Sequence, residues 1–362
     1  MERIERLTNE LKKEQMDAIF MTSKSNLYYY TNIYAEAHER LLALYVDVHG
    51  NILLICPSLE KEDVKNAGFT EDVIYYGDHE NPWEKLKQKL TGIDGINRLA
   101  IEKEVLNVNR FEQLKNVFHT AELVDGQTLL NNIRLIKDDQ EYRYLKEAAE
   151  YADFAIETAL KHIAPGQTEL SLIAEIEYAL KKEGIREMSF GTTVLTGEKS
   201  AAPHGNPDLT AMASGDFVLM DLGVVHQGYC SDITRTVAIG EISNQQKEIY
   251  QTVLKAEEKA LEASQIGVPL GKIDRTAREV IEAAGYGDYF MHRIGHGLGI
   301  EVHEFPSLAS NIESLLQKGM CYTIEPGIYL PGVGGVRIED DVFVTDRGGE
   351  PLTTFTKELI QL

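Results

Sequence analysis

Cysteine is scarce in this chain. Cys56, Cys230 and Cys321 are the only three among 362 residues. Their number is odd and no CxxC spacing occurs, so neither a disulfide framework nor a zinc ribbon is supported, and reduced, partly buried thiols in a cytosolic protein are expected. Positive charge is also short. Lysine and arginine number 36 against 58 aspartates and glutamates, a net charge of −22. No basic stripe offsets that balance, which argues against nucleic acid or an anionic membrane as the main partner. Nor does any apolar run approach the ~20 residues of a membrane-spanning helix. The N-terminal stretch MERIERLTNELKKEQMDAIF carries Ile4, Leu7 and Leu11 at helical spacing among charges, without the apolar segment of a signal peptide. A soluble, cytoplasmic protein is expected.

What is present fits a globular enzyme-sized chain. Hydrophobic content of 43% and charged content of 26% are ordinary, and the length predicts two domains. Residues 1–132 alternate short strand-like runs (AIFMT, LLALYVDV, NILLICP, DVIYY, RLAIEK) with helical ones (LEKEDVKNA, NPWEKLKQKL, VNRFEQLKNVF), an α/β domain. It holds no glycine-rich phosphate loop. Its odd piece is YAEAHERLLAL, which groups Glu36, His38, Glu39 and Arg40; this is either a solvated loop or one that reaches into an active site. Residues 133–362 open with a long amphipathic helix to about His162, capped by Asp138 or Asp139, then a helix begun by the capping sequence TELS at Thr168. Further helices, Asn244 to Gln265 and Gly271 to Gly285, interleave with strands, giving an α+β domain.

The chemistry concentrates in that second domain. FVLMDLGVVHQGYCSDITRTVAIG, residues 217 to 240, reads as two apolar strands about a turn at His226-Gln227-Gly228. Symmetry about that turn would set Asp221 directly across from Asp232, roughly 5 Å apart at Cβ. Facing carboxylates repel unless something holds them together, and a divalent cation does, although two acids on a hairpin are more often simply solvated. CYTIEPGIYLPGVGGVRIEDDVFVT, residues 321 to 345, repeats the arrangement: Glu325 and Glu339 are symmetric about Gly332 and embedded in apolar sequence, where an unpaired carboxylate is costly. Between the hairpins, HRIGHGLGIEVHEFP places three histidines, His292, His296 and His303, within twelve positions. The repetition hints at an internal duplication.

At these residues the chain resembles the pita-bread metallopeptidases: prolidases, aminopeptidases P, methionine aminopeptidases and the metal-free creatinases. The resemblance rests on PHG at 203 to 205, DLG at 221 to 223, SDITRT at 231 to 236, GHGLGIEVHE at 295 to 304, IEPG at 324 to 327 and GVRIED at 335 to 340. It covers the whole chain, and the motifs are specific as a set, each weak alone. It implies a creatinase/prolidase-like N-terminal α/β domain followed by a catalytic domain whose curved antiparallel sheet is flanked by helices. It carries the five metal ligands onto Asp221, Asp232, His296, Glu325 and Glu339, all intact, which counts against a creatinase-like or inactive relative. Two divalent ions per subunit are implied, Mn²⁺ first, with Co²⁺ or Zn²⁺ as alternatives, and a hydroxide bridging them attacks the scissile carbonyl. His204 and His303 match the two non-ligand histidines that steady the carbonyl and the tetrahedral intermediate. Glu325 matches the proton shuttle, and Arg337 is expected to pair with outer carboxylates and orient ligands. Tyr229 either supports the ligands or packs on its hairpin.

The resemblance implies cleavage of an Xaa-Pro bond, which has no N–H and defeats peptidases that align substrate by backbone pairing. A dipeptidase must bind the free C-terminal carboxylate beside the ring. Several prolidases carry arginine directly after their HExP segment, whereas here Ser307 follows His303-Glu304-Phe305-Pro306. Arg293 is the expected substitute, with His292 and Ser307, and Arg40 could reach in from a partner subunit, with His38 beside it. The expectation is an Xaa-Pro dipeptidase (prolidase), a homodimer by resemblance. An aminopeptidase P acting on longer Xaa-Pro-Yaa peptides is the alternative enzyme, and a ligand-retaining inactive scaffold the alternative of another class.

Overall fold

Alternation of short β-branched runs with capped helices is what the first 134 residues build. The computed structural model describes residues 2–90 and 95–362, and the chain divides into two compact units, Met1–Arg134 and Leu135–Leu362. In the first, β1 (Ala18–Met21), β2 (Ala43–Asp47), β3 (Ile52–Pro57), β4 (Asp72–Tyr76), β5 (Arg98–Ile101) and β6 (Glu122–Asp125) form a mixed sheet in the order β4-β3-β2-β1-β5-β6. The pairs β1–β2 and β2–β3 are antiparallel and the others parallel. Helices α1 (Glu2–Lys13), α2 (Lys24–Thr31), α3 (Lys61–Asn66), α4 (Pro82–Lys89), α5 (Val108–Val117) and α6 (Gln127–Leu135) connect the strands. Phe20, Tyr45, Ile55, Leu86, Leu99 and Leu114 belong to one buried cluster of this unit.

Two elements here escape the sequence pattern. The segment KSNLYYYT is helix α2, although its three successive tyrosines read as strand; Ser23 caps it by accepting from the Asn26 N–H, and Asn32 ends it in the left-handed region. The edge strand β6 is too short and too polar to show alternation.

The second unit sets pairs of helices against antiparallel ladders. Helix α7 (Asp139–His162) starts at Asp138, whose carboxylate caps it while Glu141 reaches back to the Asp138 N–H. Thr168 and Ser171 make the same box at α8 (Glu169–Lys182), and Ser243 and Gln246 make it at α9 (Asn244–Ala263). Helix α10 (Leu270–Ala283) follows. Helix α7 packs on α8, and α9 on α10. The alanine face of α7 (Ala148, Ala152, Ala155, Ala159) lets it approach strand residues Val218, Met220 and Val237 in one buried cluster. A second cluster joins Val253, Ala256 and Ile273 to Tyr322, Ile324, Val336 and Val342.

The ladders carry the site. Strands β7 (Glu187–Met188), β8 (Thr193–Thr196), β9 (Phe217–Leu222), β10 (Val224–His226), β11 (Tyr229–Cys230) and β12 (Ile233–Ala238) make two three-stranded sheets, β11-β10-β7 and β12-β9-β8. Strands β13 (Gly295–Gly297), β14 (Glu304–Leu308), β15 (Cys321–Ile324), β16 (Gly327–Leu330), β17 (Gly334–Arg337), β18 (Asp340–Thr345) and β19 (Gly348–Pro351) make the sheet β14-β13-β15-β18-β19 and the hairpin β16-β17. Every pairing within this unit's sheets is antiparallel.

One register differs from the sequence expectation. Asp221 pairs with Thr234, not with Asp232. The turn has two central residues, Gln227 and Gly228, both at positive φ (48° and 74°), so His226 opposes Tyr229 and the centre of symmetry moves by one residue. Asp232 therefore lies diagonal to Asp221 on the same face, because residues two apart on a strand share a side. The second hairpin keeps the symmetry about Gly332: Gly327 opposes Arg337 and Ile324 opposes Asp340. Glu325 and Glu339 fall between those two ladders at mutually facing positions.

Candidate metal centre

Side chains from five strands and the turns beside them meet at one cavity of about 560 Å³, lined among others by Asp221, Asp232, His296, Glu325 and Glu339. The strand from Ile233 and the segment after Arg337 are joined there by a bridge between Thr234 and Glu339: the Glu339 N–H donates to the Thr234 carbonyl (3.1 Å), and the Thr234 hydroxyl to Glu339 Oε2 (2.6 Å). Arg235 reinforces that junction from behind. Its Nη1 donates to the carbonyls of Thr234 (3.0 Å) and Glu339 (2.5 Å), and its Nη2 pairs with Asp340 at 2.6 Å. The Asp232 N–H donates to Asp341 Oδ2 at 3.0 Å. Backbone and side chain together thus fix where each carboxylate emerges.

The carboxylates are buried and short of partners. Asp232 is 5% exposed and Glu339 2%, and the oxygens Asp221 Oδ1, Asp232 Oδ1 and Glu339 Oε1 are buried without a hydrogen-bond partner. Unpaired buried acceptors of this kind are costly. Burial first, and then neighbouring carboxylates, push Asp232 and Glu339 well above the usual carboxylate range. Glu325 is pushed up to about 7, chiefly by burial.

His296 completes the cluster from β13. Its Nδ1 stands 3.2 Å from the Gly297 carbonyl, which assigns the proton to Nδ1 and leaves the Nε2 lone pair facing Asp232 Oδ2 (3.7 Å) and Glu325 Oε1 (3.5 Å). Burial lowers this imidazole to about 3, so it is neutral and ligand-competent at physiological pH. Ligand atoms of Asp232, His296 and Glu339 all lie within 4.8 Å of one another. Orphaned carboxylate oxygens around a neutral imidazole fit a hard or borderline divalent cation, and no thiolate is present to select a soft one.

Residues 143–346 match Metallopeptidase family M24, and residues 3–136 match the Creatinase/Prolidase N-terminal domain. The chain belongs to family M24. A Bacillus subtilis relative provisionally named a dipeptidase, YkvY, is 51% identical over 363 residues, covering 100% of both chains. Among solved structures, an Xaa-Pro dipeptidase from Bacillus anthracis superposes with TM-score 0.93 at 36% identity, over 100% of this chain and 99% of that one. An X-Pro aminopeptidase from Thermotoga maritima gives TM-score 0.88 at 30% identity, over 98% and 100%. The M24 chain is thus a metallopeptidase, and the family's use of divalent metals agrees with the cluster just described. Among the described residues, no helix is long and apolar enough to cross a membrane.

The remaining residues singled out in the sequence divide by location. His204, His292, Arg293, His303 and Arg337 all line the cavity. The His303 ring stands edge-on to His296, centroids 4.1 Å apart, and burial lowers its pKa from the ordinary histidine value. Arg337 does not pair with an outer carboxylate as expected; its Nη2 pairs directly with Asp221 at 2.6 Å, while Nε donates to Thr234 and Nη1 to the Tyr329 hydroxyl, each at 2.9 Å. Tyr329 in turn lies 2.9 Å from His292 Nε2, and burial lowers His292 to about 4. Arg293 Nη1 donates to the Ser307 hydroxyl at 3.1 Å, with Ser307 directly across the ladder from His296. His38 and Arg40 lie in the first unit, where Arg40 pairs with Asp78 at 2.8 Å and Glu39 at 3.0 Å. Tyr229 faces helix α7, its hydroxyl donating to Glu141 at 2.9 Å and its ring lying 5.6 Å from that of Tyr144. Three contributors lie in or beside the quoted motifs, yet nothing in those motifs indicates their partners: Thr234, Arg235 and Asp341 act through residues about a hundred positions away.

Proposed function

We propose that this chain is a two-metal Xaa-Pro dipeptidase, with Asp221, Asp232, His296, Glu325 and Glu339 as ligands and Mn²⁺ as the metal, Co²⁺ or Zn²⁺ being able to substitute. The observation that carries the metal reading is the set of buried, unpartnered oxygens on three carboxylates around a neutral imidazole. The substrate reading is supported by the names of the relatives and by Arg293, a cation at the cavity beside the Ser307 hydroxyl.

The chemistry supplied by bound divalent ions at such a cluster is Lewis-acid polarisation of a carbonyl and generation of hydroxide at neutral pH. The chain's own residues do the rest. Arg337 holds Asp221 by one arm of its fork while its other nitrogens grip Thr234 and Tyr329, so that carboxylate cannot swing. His303 and His204 reach the carbonyl oxygen from the cavity wall as hydrogen-bond donors and stabilise negative charge as it develops. Glu325 takes a proton at its carboxylate and passes it to the departing proline nitrogen, which must be protonated to leave. Arg293 receives the C-terminal carboxylate of a dipeptide, and Ser307 fixes the guanidinium by accepting from Nη1.

The second reading is an aminopeptidase P, favoured by serine at position 307 and by the likeness to the Thermotoga X-Pro aminopeptidase. The active assembly is proposed as a cytoplasmic homodimer. Hydrolysis by metal-stripped protein reloaded with Mn²⁺ separates the readings. Fast cleavage of Leu-Pro with little cleavage of Leu-Pro-Gly-Gly is expected; preference for the longer peptide would replace the dipeptidase by the aminopeptidase. In Arg293→Ser, the KM for Leu-Pro should rise far more than that for amidated Leu-Pro; equal effects would remove Arg293 as the carboxylate reader.

A further inference from the structure

Beneath the turn that carries His303 lies an ion pair outside the metal cluster. Lys137, between α6 and α7, places its ammonium 3.2 Å from Glu304 Oε2, with the two side chains only 1% and 6% exposed. The lysine is wedged in place: its N–H donates to the Gly319 carbonyl at 2.8 Å, and a Cβ on Gly319 would collide with Ile136. Glu304 immediately follows His303. Its other oxygen, Oε1, accepts from the Glu301 N–H at 3.1 Å, and the carboxylate lies so close over Gly299 that a Cβ there would come within 2.6 Å of Oε1. Gly299 itself is tied at both ends, its N–H donating to the Glu301 carbonyl (3.1 Å) and its carbonyl accepting from the Cys230 N–H (2.7 Å). Residues 299–304 are therefore folded around one buried carboxylate, and His303 stands on the cavity side of that fold.

A buried ion pair is a poor way to add stability, since apolar residues of similar volume often do as well. What it offers here is a charged, directional anchor from the chain before α7 to the residue next to His303. We propose that Lys137 is a positioning residue for the peptidase reaction: its pairing with Glu304 clamps the 299–304 turn so that the His303 ring is held edge-on to His296. The inference rests on reading His303 as a group that faces the substrate. A similar device recurs under the other cavity histidine. Glu169, fully buried, accepts from Lys199 Nζ (2.5 Å), from the Thr196 N–H and from the Asp208 N–H (both 2.9 Å), so both ends of the segment bearing His204 hang on one carboxylate.

The test uses the full chain and four forms: wild type, Lys137→Met, the charge-balanced double variant Lys137→Met/Glu304→Gln, and Lys137→Arg. Lys137→Met alone takes the counter-charge away from the buried Glu304 carboxylate and can fail to fold, which is why the double variant and Lys137→Arg carry the decision. For the double variant, kcat on Leu-Pro should fall roughly 10- to 100-fold, the scale of a small misplacement of a reacting group, with Mn²⁺ affinity and thermal midpoint unchanged. Lys137→Arg should recover most of the loss. The His303 ring resonances of metal-free protein should shift in the double variant and return in Lys137→Arg. Wild-type kcat in the double variant, or a loss of kcat that tracks a loss of Mn²⁺ affinity, would overturn the proposal. If wild-type protein does not cleave Leu-Pro, the functional reading fails by itself, and unshifted His303 resonances would then overturn the clamp independently.

Discussion

Glu339 has one oxygen satisfied by Thr234 and the other left without a partner, the asymmetry that the proposed ligand role requires. Glu339→Ala should abolish metal binding, a larger effect than the roughly 10–100-fold that outer partners of ligands contribute; near-normal Mn²⁺ affinity by calorimetry would remove it from the ligand set. His292 gives a different prediction. Its folded pKa of about 4 lies below the ordinary value of 6.5, so the folded state resists protonation. Its contribution is complete above pH 6.5 and is lost as pH falls from 6.5 through 4, amounting to at most roughly 3 kcal/mol. Urea midpoints should therefore fall more steeply over that window in wild type than in His292→Asn, and parallel curves would contradict the burial argument. At this scale the sequence was informative about residues of special chemistry and silent about their anchors. Asp221, His296 and Glu325 stand in recognisable motifs, whereas nothing near Lys137 or Asp341 announces a partner that folding brings from about a hundred or more positions away.

The hairpins show why register is harder to read than the strands themselves. Both were legible as paired apolar runs, and symmetry about Gly332 correctly sets Gly327 across from Arg337. Symmetry about His226-Gln227-Gly228 did not, because the chain uses a tight two-residue turn and the centre slides by one position. The result is a diagonal pair of aspartates, with Thr234 free to face Asp221 and to bridge to Glu339. Glycine sets the tolerance of this element. A Cβ at Gly223 would run into the Ser231 carbonyl, so Gly223→Ala should prevent the two strands from closing and cost metal binding along with stability. Gly228→Ala, at a turn needing positive φ, should cost only about 1 kcal/mol and leave Mn²⁺ affinity intact. Equal effects of the two on metal affinity would show that close approach of the strands is not what places Asp232.

For the whole molecule, the proposed ligands come from segments spread between residues 221 and 339, so ion binding there would be coupled to the fold of the second unit. At an ion concentration about 100 times Kd the expected stabilisation is about 2.7 kcal/mol, or roughly 5–10 °C in the thermal midpoint of a unit this size. The same addition to Glu339→Ala should leave the midpoint unmoved. The two-part α/β and α+β organisation was readable from composition and periodicity alone. The site's assembly was not, since it depends on long-range bridges such as Thr234 to Glu339. The central claim is that these five residues form a two-ion peptidase centre, and one titration addresses it directly: Mn²⁺ added stepwise to metal-stripped protein while Leu-Pro hydrolysis is followed. Activity should rise from near zero to a plateau at two ions per chain. A plateau reached without added metal, or two ions bound with no hydrolysis at any loading, would contradict it.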